Sequence, residues 1–219
     1  MTETRKIDVD SIYAELRSEI LSGTHPAGAP FKEIPLSKRF GVSRTPMRQV
    51  LSRLEQEKLL VREDRGLKVP AANPESVVQV YDLRIQLEGT AAAEAARAHS
   101  LRNLLELEAL FTRDRSLKDP SNTEMIATNL EFHAAVWKAT HNSVLVDILE
   151  RLTTHLIQTP KPTLAVSNRW AESLDEHEAL IRAIENRDEA LARQLAEEHM
   201  KTAKSIRLKL FRESAQQYL

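Results

Sequence analysis

The sequence predicts a mainly α-helical protein in two domains, a small basic N-terminal unit and a C-terminal antiparallel all-helical bundle. Three observations carry this expectation. Only 5 Gly stand beside many Ala, Leu, Glu and Arg, a composition that favours helices. Apolar residues recur at helical spacing along most of the 219 residues. Near residue 72 the run Pro70-Ala71-Ala72-Asn73-Pro74 breaks the pattern and separates a part of net charge +3 from a part of net charge −4. Domains at residues 1–72 and 73–219 follow.

In the first part, Val9 to Leu21 repeats Ile12, Leu16 and Ile20 and stops at Ser22-Gly23, which marks one helix. A Pro- and Gly-rich loop follows. Pro35 opens a short second helix through Phe40, Gly41 makes the turn, and Ser43 is placed to cap a third helix. At 100° per residue, that third helix gathers Met47, Val50, Leu51 and Leu54 on one side and Arg44, Thr45, Arg48, Gln49 and Ser52 on the other. Leu59 to Arg62 and Leu67 to Val69 flank Glu63-Asp64-Arg65-Gly66, which reads as a hairpin with Gly at a turn position. Three helices and a hairpin make a winged helix-turn-helix. Residues 32–68 hold 10 basic against 5 acidic side chains, the balance of a compact phosphate-binding module.

Several classes of function are excluded at this level. With no Cys, disulfides, thiolate metal sites and cysteine nucleophiles are absent. No apolar run reaches the length of a membrane span, and the N-terminus leads into no signal-type segment, so a cytoplasmic location is expected.

The second part reads as helices over residues 74–98, 101–117, 123–140, 143–157, 169–186 and 188–211, with a loop at Thr159-Pro160-Lys161-Pro162. Its polar residues are the informative ones. Arg84 interrupts the stripe Val77, Val80, Tyr81, Leu87, Ala91; Asn129 and His133 interrupt Met125, Ile126, Phe132, Val136, Trp137. His177 lies among Leu174, Leu180, Ile181 and Ile184, and His199 lies in line with Leu191, Leu195, Thr202 and Ile206. A buried polar group without a partner costs about 1 to 3 kcal/mol, so groups that converge on one ligand remove that cost together. Three imidazoles most readily share a metal ion. His25, His99, His141 and His155 have no such setting and are expected at the surface or in loops. Arg84 has two readings, an ion pair with Glu88 four residues on, or an anchor for an anion.

The run from Ile12 through Val69 resembles the DNA-binding domain of GntR-type bacterial transcription regulators, on the Gly41-Val42-Ser43-Arg44-Thr45-Pro46 turn, Arg48, the Leu51 to Leu54 face and Gly66. The resemblance implies that Arg44, Thr45 and Arg48 meet bases and phosphates of a short double-stranded palindrome, while Gly66 lets the wing approach the minor groove. Ile34 stands where one relative has a base-contacting Arg, so the operator does not transfer. The second part resembles the FCD ligand-binding domain of the FadR subfamily, on Arg84-x-x-x-Glu88, Asn129-x-x-Phe132-His133, His141-Asn142-x-x-Leu145, Glu176-His177 and Glu198-His199. That resemblance implies a divalent metal of the Zn, Ni or Mn class on Asn129, His133, His177 and His199. It also implies a small organic acid effector at Arg84 and a homodimer that acts as a repressor. The first ligand position is commonly Asp, and Asn129 removes that charge. A metal-dependent hydrolase or an architectural DNA-binding protein would be the alternatives, although the first lacks an inward general base and the second has no use for inward His and Arg.

Overall fold

The computed structural model describes residues 8–63, 66–71, 73–154 and 162–216, and the chain divides into two compact units at residue 72. Among them no helix is long and apolar enough to cross a membrane.

The N-terminal unit contains helices α1 (Val9–Leu21), α2 (Glu33–Phe40) and α3 (Arg44–Gln56) and strands β1 (Pro30–Phe31), β2 (Val61–Glu63) and β3 (Gly66–Lys68). Asp8 caps α1 through Ser11 N–H at 2.7 Å. Gly41 ends α2 at φ 64°, a left-handed conformation that Gly adopts without strain. Ile12, Leu16, Met47, Val50, Leu54 and Leu59 are fully buried, each contributing about 1.5 to 3 kcal/mol through lost apolar surface. A polar brace closes α1 on α3: the Tyr13 hydroxyl donates to Glu57 at 2.5 Å, and the Arg53 guanidinium lies 3.6 Å over the Tyr13 ring.

Two details differ from the sequence expectation. The loop before α2 contains β1, which pairs antiparallel with β3 and makes a three-stranded sheet of order β1-β3-β2. Ser43 occupies the N-cap of α3 with extended backbone, but its side chain makes no capping hydrogen bond.

The C-terminal unit contains α4 (Pro74–Ala98), α5 (Leu101–Ser116), α6 (Asn122–Lys138), α7 (Ser143–Thr154), a single 3-10 turn (Thr163–Ala165), α8 (Arg169–Glu185) and α9 (Glu189–Gln216). Side-chain caps set the starts: Asn73 accepts from Glu75 N–H with Pro74 in the first turn, and Ser100 and Ser121 form capping boxes with Asn103 and Glu124. The core joins Ala92, Ala95 and Ala96 of α4 with Phe132 and Val136 of α6, Leu180 and Ile184 of α8, and Ala192 and Ala196 of α9. Small residues on α4 let α9 approach closely. A Cβ at Gly89 would stand 2.7 Å from Glu197 Cγ.

The buried face of α9 is Ala192, Ala196, His199, Met200 and Leu210, whereas Leu191 is 42% exposed. This corrects the stripe read through Leu191, which points to solvent, while Leu195 of that stripe packs partly buried against the core beside Ala192 and Ala196. His99 is a second correction. It follows α4 but is buried, its ring Nδ1 3.1 Å from Ala95 O and 3.2 Å from Ala96 O, where it satisfies carbonyls at the helix end. His25 is half-buried against Glu19 and Phe31, His141 is exposed at φ 56°, and His155 lies outside the described residues, as do Thr159, Pro160 and Lys161 of the Pro-bearing loop.

Candidate functional site

In the N-terminal unit α3 buries Met47, Val50, Leu51 and Leu54 and leaves Arg44, Thr45, Arg48, Gln49 and Ser52 exposed, so its two faces divide as the periodicity requires. The side chains of Arg44 and Arg48 are 64% and 68% exposed. Both reach one carboxylate. Arg44 Nε donates to Glu33 Oε1, and Arg48 donates to Glu33 through Nε at 3.2 Å and Nη2 at 3.3 Å. The hydrogen bonds from Arg44 and then Arg48 draw the Glu33 carboxyl below its ordinary value. Glu33, the first residue of α2, was not singled out in the sequence as a partner of these arginines. The signal was a lone acid at the start of a helix that precedes a basic face. Its neighbour Ile34 is 65% exposed. Gly66 opens β3 at φ 119° with open space around the position of a Cβ, a conformation costly for any L side chain.

In the C-terminal unit three helices bring three imidazoles together. His133 on α6, His177 on α8 and His199 on α9 are all buried, and one nitrogen of each lies within 4.8 Å of the others. The Nε2 atoms of His133 and His177 are buried with no hydrogen-bond partner. Such atoms cost stability unless something else uses their lone pairs. Burial first, then the charges of neighbouring groups, pushes both imidazoles well below the usual histidine value, which keeps them neutral with lone pairs available. His177 stacks on Phe132 with centroids 3.9 Å apart.

The cavity between these rings measures about 10 Å³ and is lined by Glu88, Val136, Glu176, Leu180, Leu195 and Met200 among others. It matches one ion or water, not an organic acid. Asn129 lies one turn before His133 on α6, and its Oδ1 is also buried without a partner, although Asn129 does not line the cavity. Orphaned buried lone pairs from two imidazoles and one amide, with the His199 ring converging on the same point, suit a borderline divalent cation, so the residues fit a metal.

Arg84 does not line the cavity either. It takes the first of its two sequence readings, donating through Nε at 3.1 Å and through Nη2 to Glu88 Oε1, with both side chains buried. Trp137 Nε1 donates to the other oxygen of Glu88 at 2.7 Å. The sequence did not single out Arg169, which is 3% exposed and grips Glu176 with two hydrogen bonds of 2.8 and 2.6 Å. Glu176 in turn lies against His199. Burial opposes ionisation of Glu176, but hydrogen bonds from His199 and Arg169 outweigh it and bring the carboxyl down to about 2.

The FCD domain family matches residues 79–202, and the family described as bacterial regulatory proteins, gntR family, matches residues 9–66. The chain belongs to the GntR family, in the branch that carries an FCD domain. This GntR regulator is 29% identical over 187 residues, 83% of each chain, to the uncharacterized HTH-type transcriptional regulator YdhC of Bacillus subtilis. It is 26% identical over 188 residues to the gluconate operon transcriptional repressor of Bacillus licheniformis, covering 82% of this chain and 76% of that one. Among solved structures, E. coli McbR/YncC superposes with a TM-score of 0.81 at 21% identity, covering 93% of this chain and 98% of that one. A GntR regulator from Rhodococcus sp. RHA1 gives a TM-score of 0.74 at 18% identity over 92% and 97%. These two share the fold. The family is one of transcription regulators, so this GntR protein is a DNA-binding regulator and not an enzyme.

Proposed function

We propose that this chain is a homodimeric, cytoplasmic repressor whose residues 1–72 hold a short palindromic operator and whose residues 73–219 bind a divalent metal of the Zn, Ni or Mn class and a small organic acid. Two copies are needed because one small winged helix reads too little sequence for a specific site. The operator is gripped by Arg44, Thr45 and Arg48 in the major groove, where Arg can pair two-pronged with a guanine edge, and by the wing at Gly66. The metal is held by Asn129, His133, His177 and His199. One observation carries the sensor reading: the buried, partnerless Nε2 atoms of His133 and His177 and Oδ1 of Asn129. When bound, the metal offers open coordination positions to a carboxylate.

The class of acid is supported by relatives named as repressors of gluconate operons. A hydroxy acid, sugar acid or dicarboxylate exceeds the cavity of about 10 Å³. Gripping it at two points, by the metal and by Arg84, requires Glu88 to release Arg84 and open the cavity, and that exchange is the differential contact by which occupancy changes operator affinity.

The test is operator binding by fluorescence anisotropy across a panel of such acids, with and without chelator. At least one acid weakens binding by wild type, and Arg84→Ala keeps operator affinity but loses the response. An Arg84→Ala protein that still responds fully would overturn the role of Arg84.

A further inference from the structure

The three imidazoles are held in three different ways. His177 is fixed by its stack on Phe132. His133 has Glu88 Oε2 at 3.7 Å from Nδ1, with Arg84 behind that carboxylate. His199 has the tightest arrangement: Glu176 Oε2 lies 2.5 Å from Nδ1, and Arg169 grips both oxygens of Glu176.

A neutral imidazole has two tautomers, and its partner decides between them. An unprotonated Nδ1 would set its lone pair against a carboxylate oxygen, whereas a protonated one donates to it. Arg169 Nη2 also approaches Nδ1, but at 3.3 Å against 2.5 Å for the Glu176 oxygen, so the carboxylate contact is the one that decides. With Nδ1–H committed to Glu176, Nε2 is the nitrogen left to face the cavity.

Resting on the metal reading above, we infer that Glu176, held by Arg169, is a positioning residue that fixes His199 as the Nδ1–H tautomer and supplies negative charge to a donor set of three imidazoles and one amide. The donor set is neutral in itself. A dication among neutral ligands is stabilised by an anion one hydrogen bond away, and such outer partners change metal affinity by roughly 10- to 100-fold. Arg169 has its own part: nearly fully buried, it needs Glu176 as its counter-charge, so the pair orders itself before any ion arrives.

The experiment uses the full chain, with Zn2+ affinity measured by competition against a chromophoric chelator and the tautomer of His199 read in metal-free protein from long-range 1H–15N spectra of the imidazoles. Glu176→Gln is expected to bind Zn2+ roughly 10- to 100-fold more weakly with an unchanged circular dichroism spectrum, and its His199 leaves the single Nδ1–H tautomer for a mixture. Wild-type affinity together with a wild-type tautomer in Glu176→Gln overturns the inference. If wild type itself binds no Zn2+, the metal reading fails, and the tautomer alone decides the positioning role. Should Glu176→Gln fold poorly, Arg169→Lys keeps the cation without the two-pronged grip; a several-fold loss of Zn2+ affinity supports the inference, and an unchanged affinity overturns it.

Discussion

Trp137 donates its indole N–H to Glu88 at 2.7 Å and so holds the carboxylate that pairs with Arg84. Both side chains are buried, and they join α6 to α4 beside the cavity. Trp137→Phe removes the donor and leaves a buried carboxylate oxygen short of a partner. A hydrogen bond to a charged group contributes about 1.5 to 3 kcal/mol, and the smaller ring adds a packing loss. Urea unfolding followed by circular dichroism should place the variant at least that much below wild type. An unchanged midpoint would mean that Glu88 finds another donor.

Arg48→Ala tests the face of α3. Losing one base or phosphate contact should weaken operator binding by about 1 to 3 kcal/mol, roughly 5- to 150-fold. If Arg48 meets phosphate, the slope of log affinity against log salt becomes shallower by about 1. Arg39→Ala is the control, because Arg39 is engaged with Glu15 and Glu19 of α1 rather than with Glu33. Unchanged affinity and salt dependence in Arg48→Ala would remove this face from the groove.

Zn2+ at 100 times its dissociation constant should stabilise wild type by about 2.7 kcal/mol, a rise of several degrees in the melting temperature. A chelator reverses it. The double variant His133→Ala, His177→Ala should melt at one temperature with and without the ion. Undiminished metal in that variant, by elemental analysis, would sink the ligand set.

Tyr13 gives a pH dependence in the N-terminal unit. Burial, then the hydrogen bond to Glu57 and its charge, push the phenol up to about 12 from its usual 10. The folded state therefore keeps this proton more tightly than the unfolded chain. The stability it contributes is complete below about pH 10 and is lost as pH rises toward 12. At pH 8, Tyr13→Phe should be less stable by about 1.5 kcal/mol, the low end for a hydrogen bond to a charged group because Glu57 is partly open to solvent. Thermal melts between pH 8 and 11.5 should bring the two proteins together. A constant gap would assign the alkaline loss elsewhere.

Much of this was legible in the chain because the deciding residues break a pattern. His133, His177 and His199 each interrupt an apolar stripe, and Asn73-Pro74, Gly41 and the α3 faces mark elements by mechanisms that need no tertiary context. Strand β1 was illegible because two residues have no periodicity and its partner β3 lies more than thirty residues on. Arg169 read as an ordinary charge and Glu176 only as the neighbour of His177 in a motif, since their pairing with His199 comes from another helix. The Arg84–Glu88 spacing allowed a pair but could not decide for it; the donor on Trp137, supplied by α6, completes the carboxylate. Of the α9 stripe only Leu191 was misplaced, because hydrophobicity favours Leu191 over its neighbour Ala192, yet it is Ala192 that packs into the core.

Gly89 sets the gap between α4 and α9. It follows Glu88 directly and faces Glu197 and Arg193 of α9, so the absence of one methyl group fixes how far α4 stands from the helix that carries His199. The glycine acts as a gauge block. A larger residue there would have to displace the Glu197 and Arg193 side chains or push α9 away, so the closeness of these two helices beside the cavity depends on one missing methyl group.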